Sequence, residues 1–464
     1  MSKKRIILAF LNLFFICVAV YTIYVFSTHG KEFSADELIK NSILKQKEFS
    51  AKVEEIETQR GINAWLMEEH SAPIVSLSFY FDEAGFGFEP EEKQGLSQMV
   101  AELLLYSTRT YSYETLHDLI ETNAVSVSFD TAYETFNGSL TFPKTNIKTA
   151  QKILKSVLSE PSFEPKYIRI IRDQMIEMIK IQDEKPEKVI YRELKKQLYE
   201  SHPKSRQAIG KINTVSNISQ QDLKDFIKHN LKKNNLHIGI AGDISKQEAI
   251  DMLDFVFGDM KQSQEKKSLP DLKPDYTFPQ RNIKRDMPQV ISYFVALGAK
   301  RLSPDFYALY MANEVFGGSG LSSRLNLRAR EKEGLTYGAY SYLNSQKDAP
   351  QIIGTFSCAK ENYQRIVDIL YTEWEKMLTE GVSQKEFETV KKNMLASFNL
   401  RFKSISDIAQ MLSLMQKENL GTDFLEKRNT YVKGVTLEQV NAAAKKYFKT
   451  KPSILTIGNN NQGD

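Results

Sequence analysis

The chain has 464 residues, 41% hydrophobic and 26% charged, which is enough for two or three domains with sizeable cores and excludes large-scale disorder. Lys and Arg exceed Asp and Glu by only 4, and the basic residues are spread along the chain, so a nucleic-acid partner has no electrostatic footprint to bind. The two cysteines, Cys17 in an apolar N-terminal run and Cys358 in the body, cannot pair within one folded domain, so an oxidising compartment is tolerated and not exploited.

At the N-terminus, Lys3, Lys4 and Arg5 precede residues 6–26, an apolar run interrupted only by Asn12, Thr22 and two tyrosines. Its length suits a transmembrane helix better than the shorter apolar core of a cleaved signal. The basic cluster stays cytoplasmic, which places the remainder beyond the membrane, in a bacterium the periplasm; secretion after signal cleavage is the alternative. Residues 1–30 are thus a basic end and anchor, and residues 31–58 a polar tether.

The folded body divides nearly in half. Residues 59–260 form a first domain, residues 261–285 a charged, proline-bearing linker, and residues 286–464 a second domain. Strand-like runs at 74–81 and 290–297 open the halves, each followed by a helix. In the first half, 125–129 and 133–142 read as an antiparallel strand pair, and 146–158 and 167–181 as helices. Both halves close on a capped helix leading into a buried strand, with Ser219 and Thr436 as N-caps. The fold class expected is α+β: two homologous domains, each a mainly antiparallel sheet with helices packed on one side, preceded by the transmembrane helix.

The helix at 95–105 carries an apolar stripe of Leu96, Met99, Val100, Leu103 and Leu104, with Gln98 and Glu102 together on another face. The six histidines stand at 29, 70, 117, 202, 229 and 237, and no two lie closer than eight positions, so no pair fits a helical zinc motif. His117 with Glu121 reads as a surface helix pair, Glu177 as an exposed position of an amphipathic helix, and Cys358 as a small hydrophobe in a strand. The glycine-rich run 317–320 lacks the Gly-Lys-Ser/Thr of a phosphate loop and reads as a turn.

Three stretches in their order and spacing resemble the pitrilysin/insulinase family of zinc peptidases, which includes mitochondrial processing peptidase and the core subunits of the cytochrome bc1 complex. They are the strand, acidic loop and helix of 74–105 running on to 121–128; His202-Pro203 and Ile209-Gly210 ahead of the strand at 240–243; and 316–325 followed by Arg330 and, seven residues on, Tyr337. The resemblance covers roughly residues 55–460.

In that family the helix after Gly-Leu carries H-x-x-E-H, two histidines for zinc and a glutamate that deprotonates the metal-bound water. The matching positions here are Gln98, Ala101 and Glu102. A neutral amide is a poor zinc ligand and alanine is no base, so the resemblance implies no catalytic residue, no metal ligand and no cofactor in this chain. Arg330 and Tyr337 match the pair that donates hydrogen bonds to the scissile peptide. The expected function is therefore the substrate-binding, non-catalytic subunit of a heterodimeric peptidase, with a paralogous H-x-x-E-H partner supplying zinc and a peptide as substrate. A structural or assembly role is the alternative, and an active zinc peptidase with an atypical site a third reading.

Overall fold

A computed structural model of the chain describes residues 52–459, apart from residues 264, 319, 321 and 399–401. The transmembrane helix expected at 6–26 lies outside the described residues. Among the described residues no helix is long and apolar enough to cross a membrane.

The first half runs β1 (Glu54–Glu57), β2 (Asn63–Glu68), β3 (Ile74–Asp82), α1 (Leu96–Leu103), α2 (Tyr113–Thr122), β4 (Ser126–Thr131), β5 (Thr135–Pro143), α3 (Ile147–Ser159), α4 (Pro165–Glu184), α5 (Pro186–Tyr199), α6 (Ile212–Ser216), α7 (Gln220–Asn230), β6 (Leu236–Gly242) and α8 (Lys246–Phe257). The second runs β7 (Arg281–Ile283), β8 (Gln289–Leu297), α9 (Phe306–Gly317), a π-helical segment (Asn326–Lys332), β9 (Thr336–Asn344), β10 (Gln351–Ala359), α10 (Tyr363–Thr379), α11 (Gln384–Phe398), α12 (Ile405–Lys417), α13 (Phe424–Gly434), α14 (Leu437–Tyr447) and β11 (Ser453–Ile457).

The two sheets repeat one plan. Their orders are β1-β2-β6-β3-β5-β4 and β7-β11-β8-β10-β9, so the first sheet is the second with one more edge strand. In each, a single parallel pair, β2 with β6 or β11 with β7, interrupts antiparallel pairing. The closing units agree to the cap: Ser219 and Asp222 at α7, and Thr436 and Gln439 at α14, each exchange side-chain and backbone hydrogen bonds as a capping box. This is the α+β architecture of two similar halves.

Alternation along the strands decides which side chains meet which layer. Val75, Leu77, Phe79 and Phe81 of β3 point into a core completed by α1, α3 and α8 of the same half. Phe294 and Ala296 of β8, with Ile352 and Phe356 of β10, do the same for α9, α10 and α14. The opposite faces are buried too, and here the expectation of helices on one side only is corrected. Ile190, Leu194 and Leu198 of α5, from the first half, pack on Ile291, Val295, Ile353 and Leu455 of the second sheet. In return α12, from the second half, lies across β3 and β6 of the first sheet, where the Ser413 hydroxyl donates to Ser78 Oγ at 3.0 Å and Ile238 N–H donates to Gln416 Oε1 at 2.6 Å. Periodicity reports that a face is buried but not which segment buries it, so the exchange is invisible in the sequence.

The side chains beneath α12 are small because a helix lies directly on the strands. Ser76, Ser78, Gly239 and Ala241 present this flat surface, and a Cβ on Gly239 would stand 2.2 Å from the Ala409 carbonyl oxygen and 2.5 Å from Ser413 N. Part of the linker packs between the halves' elements: Asp275 N–H donates to the Leu198 carbonyl at 3.0 Å, Tyr276 Oη donates to the Pro350 carbonyl at 2.7 Å, and Ser453 Oγ donates to the carbonyls of Tyr276 and Phe278. Gly239→Ala is expected to lower stability by about 1–3 kcal/mol through overpacking at α12. Thermal melting checks this, and an unchanged melting temperature would show that α12 is not held on the sheet.

Candidate functional site

Helix α1 begins at Gly95, whose backbone is left-handed with φ 97°. A Cβ there would meet the Ile209 carbonyl oxygen at 2.8 Å, so close approach and conformation both call for glycine. The helix has no cap from its own N-cap side chain. Glu89 supplies it from the preceding loop, accepting from Gly95 N–H at 2.9 Å, Ser97 N–H at 2.7 Å and the Ser97 hydroxyl at 2.6 Å. Burial pushes the Glu89 carboxyl up to about 7, although these three hydrogen bonds and Arg206 all favour its charged form. Glu89 was not singled out in the sequence; a carboxylate just before a helix that lacks Ser, Thr, Asp or Asn at its N-cap is the signal that would find it.

On this helix Leu96, Met99, Val100 and Leu103 are buried, as the stripe predicts, and Ala101 is buried beside them. Gln98 Nε2 donates to Glu102 Oε1 at 2.9 Å, so the two polar side chains close on each other along the solvent face. An amide committed to a neighbouring carboxylate, a buried methyl group and one exposed carboxylate do not fit a zinc ion. Glu177 is exposed on α4 and pairs with Lys180 at 2.5 Å. His117 Nε2 lies 3.2 Å from the Leu105 carbonyl oxygen and its ring packs on Tyr113. Cys358 is buried in β10. Among the described residues, no group of three or more His, Cys, Asp or Glu is placed to hold a metal ion.

The second stretch is built around three arginines. Arg324 makes a two-pronged contact with Glu386, Nε to Oε1 and Nη2 to Oε2 at 2.8 Å each, and also bonds the Gly381 carbonyl. Arg328 reaches the buried Glu373 at 2.8 Å. Arg330 is different: among the described residues its one ion pair is with adjacent Glu331, at 3.4 Å, on an exposed surface. Glu333, the other acidic neighbour, is held instead by Arg365 at 2.7 and 2.9 Å.

The π-helical segment then ends in a tight turn. Gly334, with φ 62°, donates to the Arg330 carbonyl at 3.1 Å, and Leu335 N–H donates to the Ala329 carbonyl at 2.9 Å. The chain passes directly into β9, where Tyr337 is 83% exposed. Tyr337 is therefore in a strand without filling a core.

Strand β9 ends the second sheet, but its outer edge is not bare. Asn326 Oδ1 accepts from Ala339 N–H at 3.0 Å, and Asn313 Nδ2 donates to the Ser341 carbonyl at 3.2 Å. Buried asparagines thus occupy positions that an added strand would need. At the far edge of the first sheet, β4 is an end strand beside α1, joined to it by Thr131 Oγ1 donating to Ser97 Oγ at 2.9 Å.

Residues 64–211 match the family described as Insulinase (Peptidase family M16), and residues 217–394 the one described as Peptidase M16 inactive domain. A curated relative from Helicobacter pylori, named Non-peptidase homolog YmxG, is 23% identical over 86% of this chain and 91% of its own length. The human Mitochondrial-processing peptidase subunit beta is 23% identical over 84% of this chain and 81% of its own length. A crystal structure of a peptidase M16 inactive domain from Pseudomonas fluorescens superposes with a TM-score of 0.80 at 23% identity, covering 88% of this chain and 97% of that one.

The Arg324–Glu386 contact sets a pH dependence. Burial raises the Glu386 carboxyl, but Arg324 and the Ser383 N–H and hydroxyl outweigh it and bring it from its ordinary 4.5 to about 2. A carboxyl lowered in the fold adds stability above its unfolded value and loses it as pH falls. The melting temperature of the native chain should therefore exceed that of Glu386→Gln near neutrality, with the gap closing as pH falls from about 4.5 to about 2. A constant gap would show that the pair is not what titrates.

Proposed function

Because the chain belongs to peptidase family M16, the insulinase family, as a peptidase-like member of its inactive kind, we propose that it is the substrate-holding subunit of a two-chain zinc peptidase. The observation that carries this reading is the unequal use of the three arginines. Arg324 and Arg328 are spent on Glu386 and Glu373, while Arg330 and, just past the turn, Tyr337 are left at the surface. A phenol and a guanidinium at the surface are suited to donating hydrogen bonds to a peptide carbonyl.

The partner in this reading is a paralogous chain with an intact H-x-x-E-H helix, which supplies zinc and the activated water. This chain contributes position: the Arg330 fork and the Tyr337 hydroxyl orient the scissile carbonyl and stabilise charge that develops on its oxygen. An extended peptide would not add along β9, whose outer edge Asn313 and Asn326 already use. That a relative is named as a subunit of a processing peptidase favours a two-chain assembly. Residues 6–26 would anchor the complex, with the folded halves on the periplasmic side of the membrane.

Mixing the chain with an H-x-x-E-H paralogue and following a quenched-fluorophore peptide tests the proposal. Hydrolysis is expected from the mixture alone, and Arg330→Ala or Tyr337→Phe should lower kcat/KM by about 10²–10³ while the zinc content of the complex stays the same. Hydrolysis by the isolated chain would overturn the division of labour. Full activity in both variants would leave a structural or assembly role in its place.

A further inference from the structure

A cavity of about 500 Å³ opens in the second half between the loop before α9, the turn after α12, and helices α13 and α14. It lies apart from Arg330, Tyr337 and α1, none of which lines it. Its size falls within the range of small-molecule sites.

The lining is apolar and aromatic, from Leu302, Phe424 and Tyr431, with a cation set into it. The Arg301 guanidinium carbon lies 4.2 Å from the ring centre of Phe306, 5.6 Å from that of Tyr307 and 5.3 Å from that of Phe424. Stacking on rings uses the flat faces of a guanidinium and leaves its in-plane N–H donors for another group. Among the described residues no carboxylate pairs with Arg301. The acidic residues nearest in sequence to the lining are engaged elsewhere: Asp305 by Lys446 at 2.5 Å and Tyr447 at 3.1 Å, and Asp423 by Lys427.

A hydroxyl lies behind the same wall. Tyr307 Oη is buried beside the Arg301 guanidinium. Burial raises its pKa, while the positive fields of Arg301 and Arg428 and a side-chain hydrogen bond with Arg301 oppose that rise. The guanidinium, with five donors and, among the described residues, no carboxylate partner, still has N–H groups for an acceptor in the cavity. Leu302, 71% exposed, stands at the rim as an apolar side chain without a partner.

We infer that this cavity binds a carboxylate carried on an apolar or aromatic group, its oxygens accepting from Arg301 while its body packs against Phe424 and Tyr431. Either the free C-terminus of a peptide or a small organic acid offers that chemistry. The inference stands independently of the Arg330 and Tyr337 reading.

Calorimetric titration of the full chain in detergent with N-acetyl-phenylalanine, with its amide, and with a decapeptide ending in free phenylalanine tests it. The acid is expected to bind saturably and the amide about tenfold more weakly, because the amide cannot offer the charge-assisted bonds. Arg301→Gln should erase that difference. Leu302→Glu, a change at an exposed rim that leaves packing intact, should weaken the acid several-fold by like-charge repulsion. A peptide tighter than the free acid assigns the site to chain ends, and equal affinity assigns it to small acids. Equal binding of acid and amide, no saturable binding of any probe, or wild-type affinity in both variants would overturn the assignment.

Discussion

The exchange of helices between the halves is the constraint on which the rest of the molecule depends. Each sheet is covered on one face by its own helices and on the other by a helix from the opposite half, α12 over β3 and β6, and α5 over β8, β10 and β11. A sheet with one face covered could be a domain by itself; a sheet that needs the other half's helix cannot hide its second face alone. The two halves are therefore bound by burial, to which Phe278 of the linker contributes. The two covered faces are unlike: Ser, Gly and Ala lie under α12, whereas Ile, Val and Leu lie under α5. The first lets a helix approach until backbone meets backbone, and the second fills a wider gap with side chains.

Packing alone gives α1 a reason to form. Its buried stripe closes the first core, and its N-terminus is satisfied by Glu89 from the loop and fixed by Gly95 at the turn. Those requirements are met without Gln98 and Glu102, which face solvent and bond each other, while Ala101 is a small side chain buried in the same core. Chemistry at those positions could be lost without disturbing the fold. The segment from Arg324 to Tyr337 obeys the opposite logic. Two of its arginines and Asn326, with Asn313 from α9, hold the loop and the outer edge of β9 in place, and this support presents Arg330 and Tyr337 outward.

Much of the fold was legible in the sequence. The closing helix-and-strand units repeat, the strand pair at β4 and β5 alternates, and Ser219 and Thr436 cap as their local pattern requires, because all of these are decided by neighbours within a few residues. The apolar stripe of α1 and the exposure of Glu177 were legible for the same reason. Beyond the reach of pattern were Glu89 as the cap of α1, eight residues from one of its donors, and Glu373 and Glu386 as the acids that take Arg328 and Arg324 from 45 and 62 residues away. Arg330 has Glu331 and Glu333 within three residues; it meets the first, while Glu333 goes to Arg365, and sequence distance does not separate these outcomes.

The sequence by itself determined the elements, their repetition in two halves and the apolar stripe of α1, since these depend on residue identity and short-range spacing. Only the tertiary structure decided that α12 and α5 change halves, that the β9 edge is occupied by asparagines, and that Arg301, with no carboxylate partner among the described residues, faces a cavity among aromatic rings. The physical reason is that burial and hydrogen bonding are competitions among all groups in reach, and which groups are in reach is settled by packing, not by order along the chain.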